Sequence, residues 1–412
     1  MSELVIRNIR CALSDALADT RAVILSGARQ VGKSTIAKAE TRDFPNVEVR
    51  RLDRPTELEA ARRDPESFVR HDGLLVVDEI QRAPGLLVSI KAAVDADDRP
   101  GQFLLTGSAR LLGLRHLPDS LIGRSETLEL WPFSQGELTA TVEQFIDHAF
   151  AERPFPRFSS ELTRSEYVEK ALVGGYPEAV KRTPERRAKF FAAYLDDLID
   201  RDITQLSEIQ RRPDLVRMLA LLAGRMATPI SIQNVAEALV VPAKTVERYV
   251  ALLEEVYLVK RLNGWATTST KRATQRDKLI FVDSGIAAHL AGFSRASLER
   301  SEAAVGLLLE NFVIGEVWRQ LGWAKVAARP YHFRDREGRE IDILLEGRDG
   351  RVVAIEVKSG ATVRGEDVRH LAYLRDALGA RFHRGILLHT GTDTREFGDR
   401  IVVAPLSTLW SG

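Results

Sequence analysis

A short apolar run, Ala22-Val-Ile-Leu-Ser26, breaks into Gly27-Ala-Arg-Gln-Val-Gly32-Lys33-Ser34-Thr35 and resumes as Ile36-Ala-Lys-Ala. The run reads as a buried strand and the resumption as a helix start. The stretch therefore fits G-x-x-x-x-G-K-[ST] in the strand–loop–helix setting that phosphate binding needs. Gly27 and Gly32 let the backbone curl until several N–H groups face inward. The nucleotide-binding candidates are Gly27, Ala28, Arg29, Gln30, Val31, Gly32, Lys33, Ser34 and Thr35. Lys33 is placed to reach the β- and γ-phosphates of ATP, and Ser34 to offer its hydroxyl to Mg²⁺. The helix N-terminus adds partial positive charge.

Binding alone does not hydrolyse; hydrolysis needs a metal-holding acid and a group that orients water. Leu74-Leu-Val-Val77 reads as a second buried strand and ends in Asp78-Glu79. At the carboxyl end of a parallel strand, Asp78 is expected to hold Mg²⁺ and Glu79 to act as general base. Gln102-Phe-Leu-Leu-Thr106-Gly107-Ser108 reads as a strand ending in small polar residues, so Thr106 or Ser108 can contact the γ-phosphate or the attacking water, or form a plain turn. Arg124 stands before a strand candidate at 126–130. It reads either as a surface arginine or as a group reaching a neighbouring subunit's γ-phosphate in trans.

Strand candidates fall near 22–26, 47–52, 74–77, 102–106 and 126–130. With the loop, Asp78-Glu-Ile-Gln-Arg, Leu105-Thr-Gly-Ser-Ala, Ile122-Gly-Arg124 and Pro132-Phe-Ser-Gln-Gly-Glu137, the chain resembles bacterial AAA-type ATPases of the archaeal-ATPase-like group, which often carry a C-terminal domain of unknown function. The family usually has Pro at the place of Ala28 and Thr at the place of Ser34; neither change removes a phosphate ligand. The resemblance implies an αβα nucleotide-binding core, Mg·ATP and ring assembly as a homo-oligomer. It continues through Gly174-Gly-Tyr-Pro-Glu178, Arg201-Asp-Ile203 and Phe281-Val-Asp-Ser-Gly285, runs to which the sequence assigns no role.

Composition sets limits on the rest. With 59 Lys+Arg against 58 Asp+Glu, any nucleic-acid surface must be local. A single cysteine, Cys11, permits no internal disulfide and suits a reducing, cytoplasmic setting. No apolar run approaches the ~18 residues of a spanning helix, and the first residues lack a signal-peptide layout, so no membrane association is expected.

Residues 1–140 are expected to form the ATP-binding domain and 141–210 a helical lid or connector. Residues 211–290 read as a winged helix. Asp214–Ala223, Ser231–Leu239 and Ala243–Glu255 have helical apolar spacing, with a turn at Val240-Val-Pro242. Two strand candidates follow, Tyr257–Leu262 and Lys278–Val282, and the segment between them is rich in cations. As a DNA-binding surface, Lys244, Thr245 and Arg248 on the third helix, with Lys271, Arg272, Arg276 and Lys278 of the wing, are the candidates.

Residues 291–412 carry a strongly amphipathic helix at 305–318, a hairpin bearing Asp342, and a strand bearing Glu356 and Lys358. Alternate strand residues share a face, so Glu356 and Lys358 project together. The Asp…Glu-x-Lys set resembles PD-(D/E)xK nucleases of restriction-endonuclease-like fold, with Ile341 in place of the Pro. The resemblance implies a divalent metal on Asp342 and Glu356, with Lys358 beside it and Glu310 as a further ligand; a structural ion-pair cluster is the alternative. The fold class is thus α/β: a P-loop core, a helical connector with winged helix, and a C-terminal α/β domain. Three functions remain open: a DNA-remodelling ATPase, an ATP- and metal-dependent DNA endonuclease, and an ATP-driven signalling or scaffold switch that binds protein.

Overall fold

The computed structural model describes residues 4–411 except 43, 109–120, 204–211, 269–271 and 273–274. It divides into two compact units, Met1–Pro132 and, apart from the short stretch Glu255–Tyr257, Phe133–Gly412. Among the described residues no helix is long and apolar enough to cross a membrane.

The first unit contains α1 (Arg10–Asp19), β1 (Ala22–Ser26), α2 (Lys33–Glu40), β2 (Val47–Arg51), α3 (Pro55–Arg63), β3 (Leu74–Asp78), α4 (Leu86–Ala96), β4 (Phe103–Gly107) and β5 (Ser125–Glu129). Its strands form one parallel sheet in the order β2-β3-β4-β1-β5. Strand residues alternate between faces. Ala22, Ile24, Leu75, Val77, Phe103 and Leu105 pack with Leu86, Ile90 and Val94 of α4. The intervening Val23, Leu25, Val76 and Leu104 are buried on the other face, which α1 and α2 cover with Leu13, Leu17 and Ile36. Burial on both faces is why β1, β3 and β4 read as unbroken apolar runs. Because β4 lies between β1 and β3, the carboxyl ends of these strands stand side by side, with Ser26 opposite Gly107 and Val77 opposite Leu105.

The second unit opens with α5 (Gln135–Leu138), α6 (Phe145–Phe150), α7 (Arg164–Val173) and α8 (Pro184–Asp197). Next come α9 (Arg212–Ala223), α10 (Ile232–Leu239), α11 (Ala243–Glu255) and an antiparallel pair, β6 (Val259–Leu262) and β7 (Lys278–Phe281). After α12 (Ser284–Leu290) and the long α13 (Glu302–Gln320), a six-stranded sheet is built from β8 (Ala328–Arg334), β9 (Glu340–Gly347), β10 (Val352–Lys358), β11 (Phe382–His389), β12 (Arg395–Glu396) and β13 (Ile401–Pro405). β8, β9 and β10 are antiparallel neighbours; β10, β11 and β13 run parallel, with α14 (Arg369–Leu378) crossing between β10 and β11. Leu371 and Leu374 of α14 bury against Leu344, Ala354 and Leu387.

The first compact unit ends at Pro132, and the stretches 141–210, 211–290 and 291–412 lie, apart from Glu255–Tyr257, within the second. A buried polar knot explains this. Asp283 accepts hydrogen bonds from the N–H groups of Gly175 at 2.7 Å and Ile286 at 3.0 Å. A Cβ on Gly174 would lie 2.3 Å from Asp283 Oδ1, and one on Gly175 2.0 Å from the Phe133 carbonyl oxygen. From α13, Arg319 donates to the Val282 carbonyl at 3.2 Å and to Glu316 at 3.0 Å, while Glu316 accepts from the Gln135 N–H at 2.9 Å. Glu143 accepts from Ser134 Oγ at 2.7 Å and the Gly136 N–H at 2.9 Å. The runs at 132–137, 174–178 and 281–285 thus converge on one site, where satisfied buried polar groups fix the packing.

Two outcomes test this account. Burial first, and the charge of Glu316 second, push the Glu143 carboxyl from 4.5 up to about 8. A carboxyl raised on folding stabilises the native state below pH 4.5, and that contribution is lost as pH climbs through the raised value. Unfolding free energy should therefore fall across that window by as much as about 1.4 kcal/mol per pH unit, and Glu143→Gln should flatten the fall. Urea midpoints of both proteins across this range check it; parallel pH profiles would refute it. In the first unit, a Cβ on Gly27, whose φ is +145°, would lie 2.1 Å from the Leu130 carbonyl oxygen. Gly27→Ala is expected to destabilise by about 2–4 kcal/mol, measured as a lowered Tm; an unchanged Tm would show that the loop does not need this close approach.

Candidate functional site: a phosphate loop and two charged clusters

The loop joining β1 to α2 has positive φ at Gly27, Gln30 (+60°) and Gly32 (+99°), which curls it back on itself. Ala28 and Val31 are buried, Arg29 is half-buried, and Gln30 and Thr35 are exposed. Lys33 is buried; its Nζ donates to the carbonyls of Gly27 at 2.9 Å and Ala28 at 2.7 Å. The Ser34 hydroxyl donates to Asp78 Oδ1 at 2.9 Å, and the Thr106 hydroxyl donates to the same oxygen. Asp78 at the end of β3 is thereby joined to residues at the ends of β1 and β4.

Glu79 takes a left-handed conformation, φ +61°, directly after β3, and its N–H donates to Thr106 Oγ1 at 3.3 Å. Its carboxylate accepts from Gln81 Nε2 and from Ser108 Oγ at 3.3 Å, and Gln81 Nε2 also donates to Ser108 Oγ at 2.9 Å. The structure thus brings Lys33, Ser34, Asp78, Glu79, Thr106 and Ser108 together at the carboxyl ends of β1, β3 and β4. Arg124 is elsewhere: its guanidinium pairs with Asp95 on α4 and donates to the Ile122 carbonyl. Two participants were not read from the sequence. Gln81 carries only the weak signal of standing two places after Glu79. Arg7, which donates to the carbonyls of Val31 at 2.8 Å and Trp131 at 2.6 Å and so braces the loop, has no local pattern at all.

In the second unit, α10 buries Val235, Ala236 and Leu239, and α11 buries Val246, Tyr249, Val250 and Leu253. This leaves Lys244 and Arg248 exposed and Thr245 half-buried. The cationic segment between β6 and β7 needs correction. Lys271 lies outside the described residues. Arg272 is not a free wing cation: it grips Glu346 of β9 with both terminal nitrogens, at 2.7 and 2.9 Å, and lies over the Tyr331 ring at 5.1 Å. Arg276 is exposed, but its carbonyl is bonded to His332 Nε2 at 2.8 Å. Lys278, expected on the DNA-facing surface, is 0% exposed. Gly264 bridges to His332 of β8, so described residues of this stretch meet β8 and β9.

Lys278 instead centres the C-terminal constellation. Its Nζ is 2.6 Å from Glu310 Oε1 on α13, 2.7 Å from Glu340 Oε1 and 3.6 Å from Asp342 Oδ1 on β9. Asp342 Oδ2 accepts from the Val357 N–H at 2.8 Å. Glu356 and Lys358 do project together, with Lys358 Nζ 3.5 Å from Glu356 Oε1. Glu356 Oε2 is buried without a hydrogen-bond partner among the described residues. Burial, then the charge of Asp342, push the Glu310 carboxyl up to about 8 and that of Glu356 well above its usual range. Burial opposes the charge of Lys278, but Glu310, Asp342 and Glu340 outweigh it and keep the ammonium protonated beyond its ordinary range. Among the described residues no group of three or more His, Cys, Asp or Glu is arranged to hold a metal ion. Of the residues expected as metal ligands, Glu310 and Asp342 stand beside the Lys278 ammonium, while Glu356 stands beside Lys358.

Comparison with known proteins matches three stretches of the chain. An AAA domain matches residues 19–139, and two domains of unknown function, DUF8612 and DUF4143, match residues 164–297 and 305–409. The chain is 28% identical over 363 residues to an uncharacterized protein of Mycobacterium tuberculosis, covering 86% of this chain and 74% of that one. It is 21% identical over 309 residues to an uncharacterized protein of Haemophilus influenzae, covering 73% and 69%. Among solved structures, the Walker-type ATPase PABY2304 of Pyrococcus abyssi is similar with a TM-score of 0.43 and 14% identity, over 70% of this chain and 96% of that one. The Holliday junction branch migration motor RuvB of Thermotoga maritima gives 0.30 and 22%, over 62% and 88%. AMPPCP-bound DnaA of Aquifex aeolicus gives 0.29 and 13%, over 60% and 86%. Residues 19–139 thus match an AAA domain, and the parallel sheet they contain carries the phosphate loop directly after β1.

Proposed function

We propose that this protein is a Mg²⁺-dependent ATPase that binds and remodels DNA. The observation that carries the ATPase chemistry is the single Asp78 oxygen shared by the hydroxyls of Ser34 and Thr106. Ser34 and Asp78 would hold the Mg²⁺ that travels with ATP, an ion that neutralises charge between the β- and γ-phosphates. Lys33, held against the curled loop, is placed for the same phosphates, and the loop N–H groups and the start of α2 add positive potential. Glu79 acts as general base on the attacking water. Gln81 and Ser108 fix its carboxylate, and Thr106 fixes its backbone and Asp78 together. In a ring of subunits, Arg124 would exchange Asp95 for a neighbour's γ-phosphate, a contribution of about 10³–10⁵ in rate.

The DNA reading is supported by α10, the turn at Val240 and α11, an arrangement that presents Lys244, Thr245 and Arg248 away from the helix core. These side chains suit phosphate and base-edge contact. With Arg272 and Lys278 spent on carboxylates, α11 and Arg276 carry the proposed surface. Residues 291–412 support a restriction-endonuclease-like reading through the order of α13, the β8–β9–β10 meander, α14 and parallel β11.

ATPase assays across single-stranded, duplex, branched and RNA–DNA hybrid substrates test the proposal; stimulation by DNA is expected. Turnover indifferent to every nucleic acid would transfer the function to a protein-binding switch. Lys33→Ala is expected to abolish nucleotide binding. Glu79→Gln should still bind but turn over about 10²–10⁴-fold more slowly, and retained turnover in both variants refutes the site. Reversing Lys244 and Arg248 to Glu should weaken DNA binding and flatten its salt dependence by about 0.9 in logarithmic slope per lost phosphate contact. An unchanged slope removes α11 from the interface.

A further inference from the structure

The resemblance to PD-(D/E)xK nucleases implies a divalent metal among Asp342, Glu356 and Glu310, and the residues present do not fit one. A hard divalent ion needs its carboxylate oxygens at about 2.0–2.6 Å, with their charge free to bind it. Here Glu310 Oε1 and Glu340 Oε1 are taken by Lys278 Nζ at 2.6 and 2.7 Å, and Asp342 Oδ1 lies 3.6 Å from the same nitrogen. The remaining Asp342 oxygen is turned to the Val357 N–H. A divalent ion among these oxygens would share them with an ammonium, and like charges at that separation in a low-dielectric interior repel strongly. Nor can the ammonium swing aside easily. Lys278 is fully buried, and its backbone is held by Leu262 across the β6–β7 ladder and by a bridge to Pro229.

We propose that Lys278 replaces the divalent cation: it permanently neutralises the carboxylate cluster, so that the C-terminal domain binds no metal there and does not cleave DNA. The cluster serves as a clasp, fastening β7 to α13 and β9. Glu356 Oε2, buried beside Asp342 with no hydrogen-bond partner among the described residues, is what remains of a ligand set whose cation is built in. The inference rests on the nuclease-like reading of residues 291–412 and is independent of whether ATP turnover responds to DNA.

The test is Mn²⁺ binding to the nucleotide-free full chain, followed by calorimetry and by paramagnetic resonance of free Mn²⁺. Wild type and Asp342→Asn are expected to bind equal numbers of ions, since any ion at Ser34 and Asp78 is common to both. Lys278→Met, close in size but uncharged, should gain one Mn²⁺ site that wild type lacks. The double variant Lys278→Met/Asp342→Asn should lose it again. Loss of a site in Asp342→Asn alone overturns the proposal, and this comparison decides even where Lys278→Met does not fold. A folded Lys278→Met that gains no site also overturns it. Wild type should leave supercoiled and branched DNA intact in Mg²⁺ or Mn²⁺; cleavage that disappears in Lys358→Ala is the third overturning result.

Discussion

The carboxylate of Asp78 is the point on which the first unit turns. One of its oxygens accepts from Ser34 at the start of α2 and from Thr106 at the end of β4. Those contacts exist because β4 runs between β1 and β3, so the chain segments that leave these strands emerge together. The hydrophobic layers on both faces of the sheet set that order; the hydroxyls read it out. Gly27 serves the same geometry, since only a residue without Cβ lets the loop pass the Leu130 carbonyl.

The second unit depends on a different solution to buried polarity. Asp283, Glu316 and Glu143 stand among backbone N–H groups, with Arg319 supplying the countercharge from α13. Buried charge is tolerated only when hydrogen-bonded or paired. Asp283 and Glu316 each take a partner from a distant segment, Gly175 and Gln135, so satisfying them ties those segments together. This accounts for the inclusion of residues on both sides of 164–297 and 305–409 in one compact unit.

Much of the fold was legible because the central strands are buried on both faces. The apolar runs at 22–26, 74–77 and 102–106 match β1, β3 and β4 within one residue at each end. The phosphate loop was legible because its function is carried by contiguous residues. Arg7, Gln81, Lys278 and Asp283 were not, because their roles depend on partners tens or hundreds of residues away. Lys278 follows a cation-rich segment and so read as a solvated wing residue. Two signals pointed the other way. Lys278 begins the apolar run Leu279-Ile-Phe-Val282, and Glu310 interrupts the apolar helix stretch around Leu309 and Phe312. An acid in such a stretch needs a countercharge brought from elsewhere.

The two carboxylate sites differ in what neutralises them, and the difference sets what each is able to do. Asp78 is held by neutral hydroxyls, which rotate without taking a countercharge with them; such a carboxylate is suited to exchanging one partner for another. Asp342, Glu340 and Glu310 are held by an ammonium on a buried side chain. Removing that ammonium leaves buried carboxylates without a countercharge, at a cost of several kcal/mol. A site neutralised by hydroxyls is suited to turnover, and one neutralised by lysine to permanence. On that physical ground the proposed chemistry of this chain belongs to the carboxyl ends of the parallel strands at Asp78, and the C-terminal cluster to the proposed clasp.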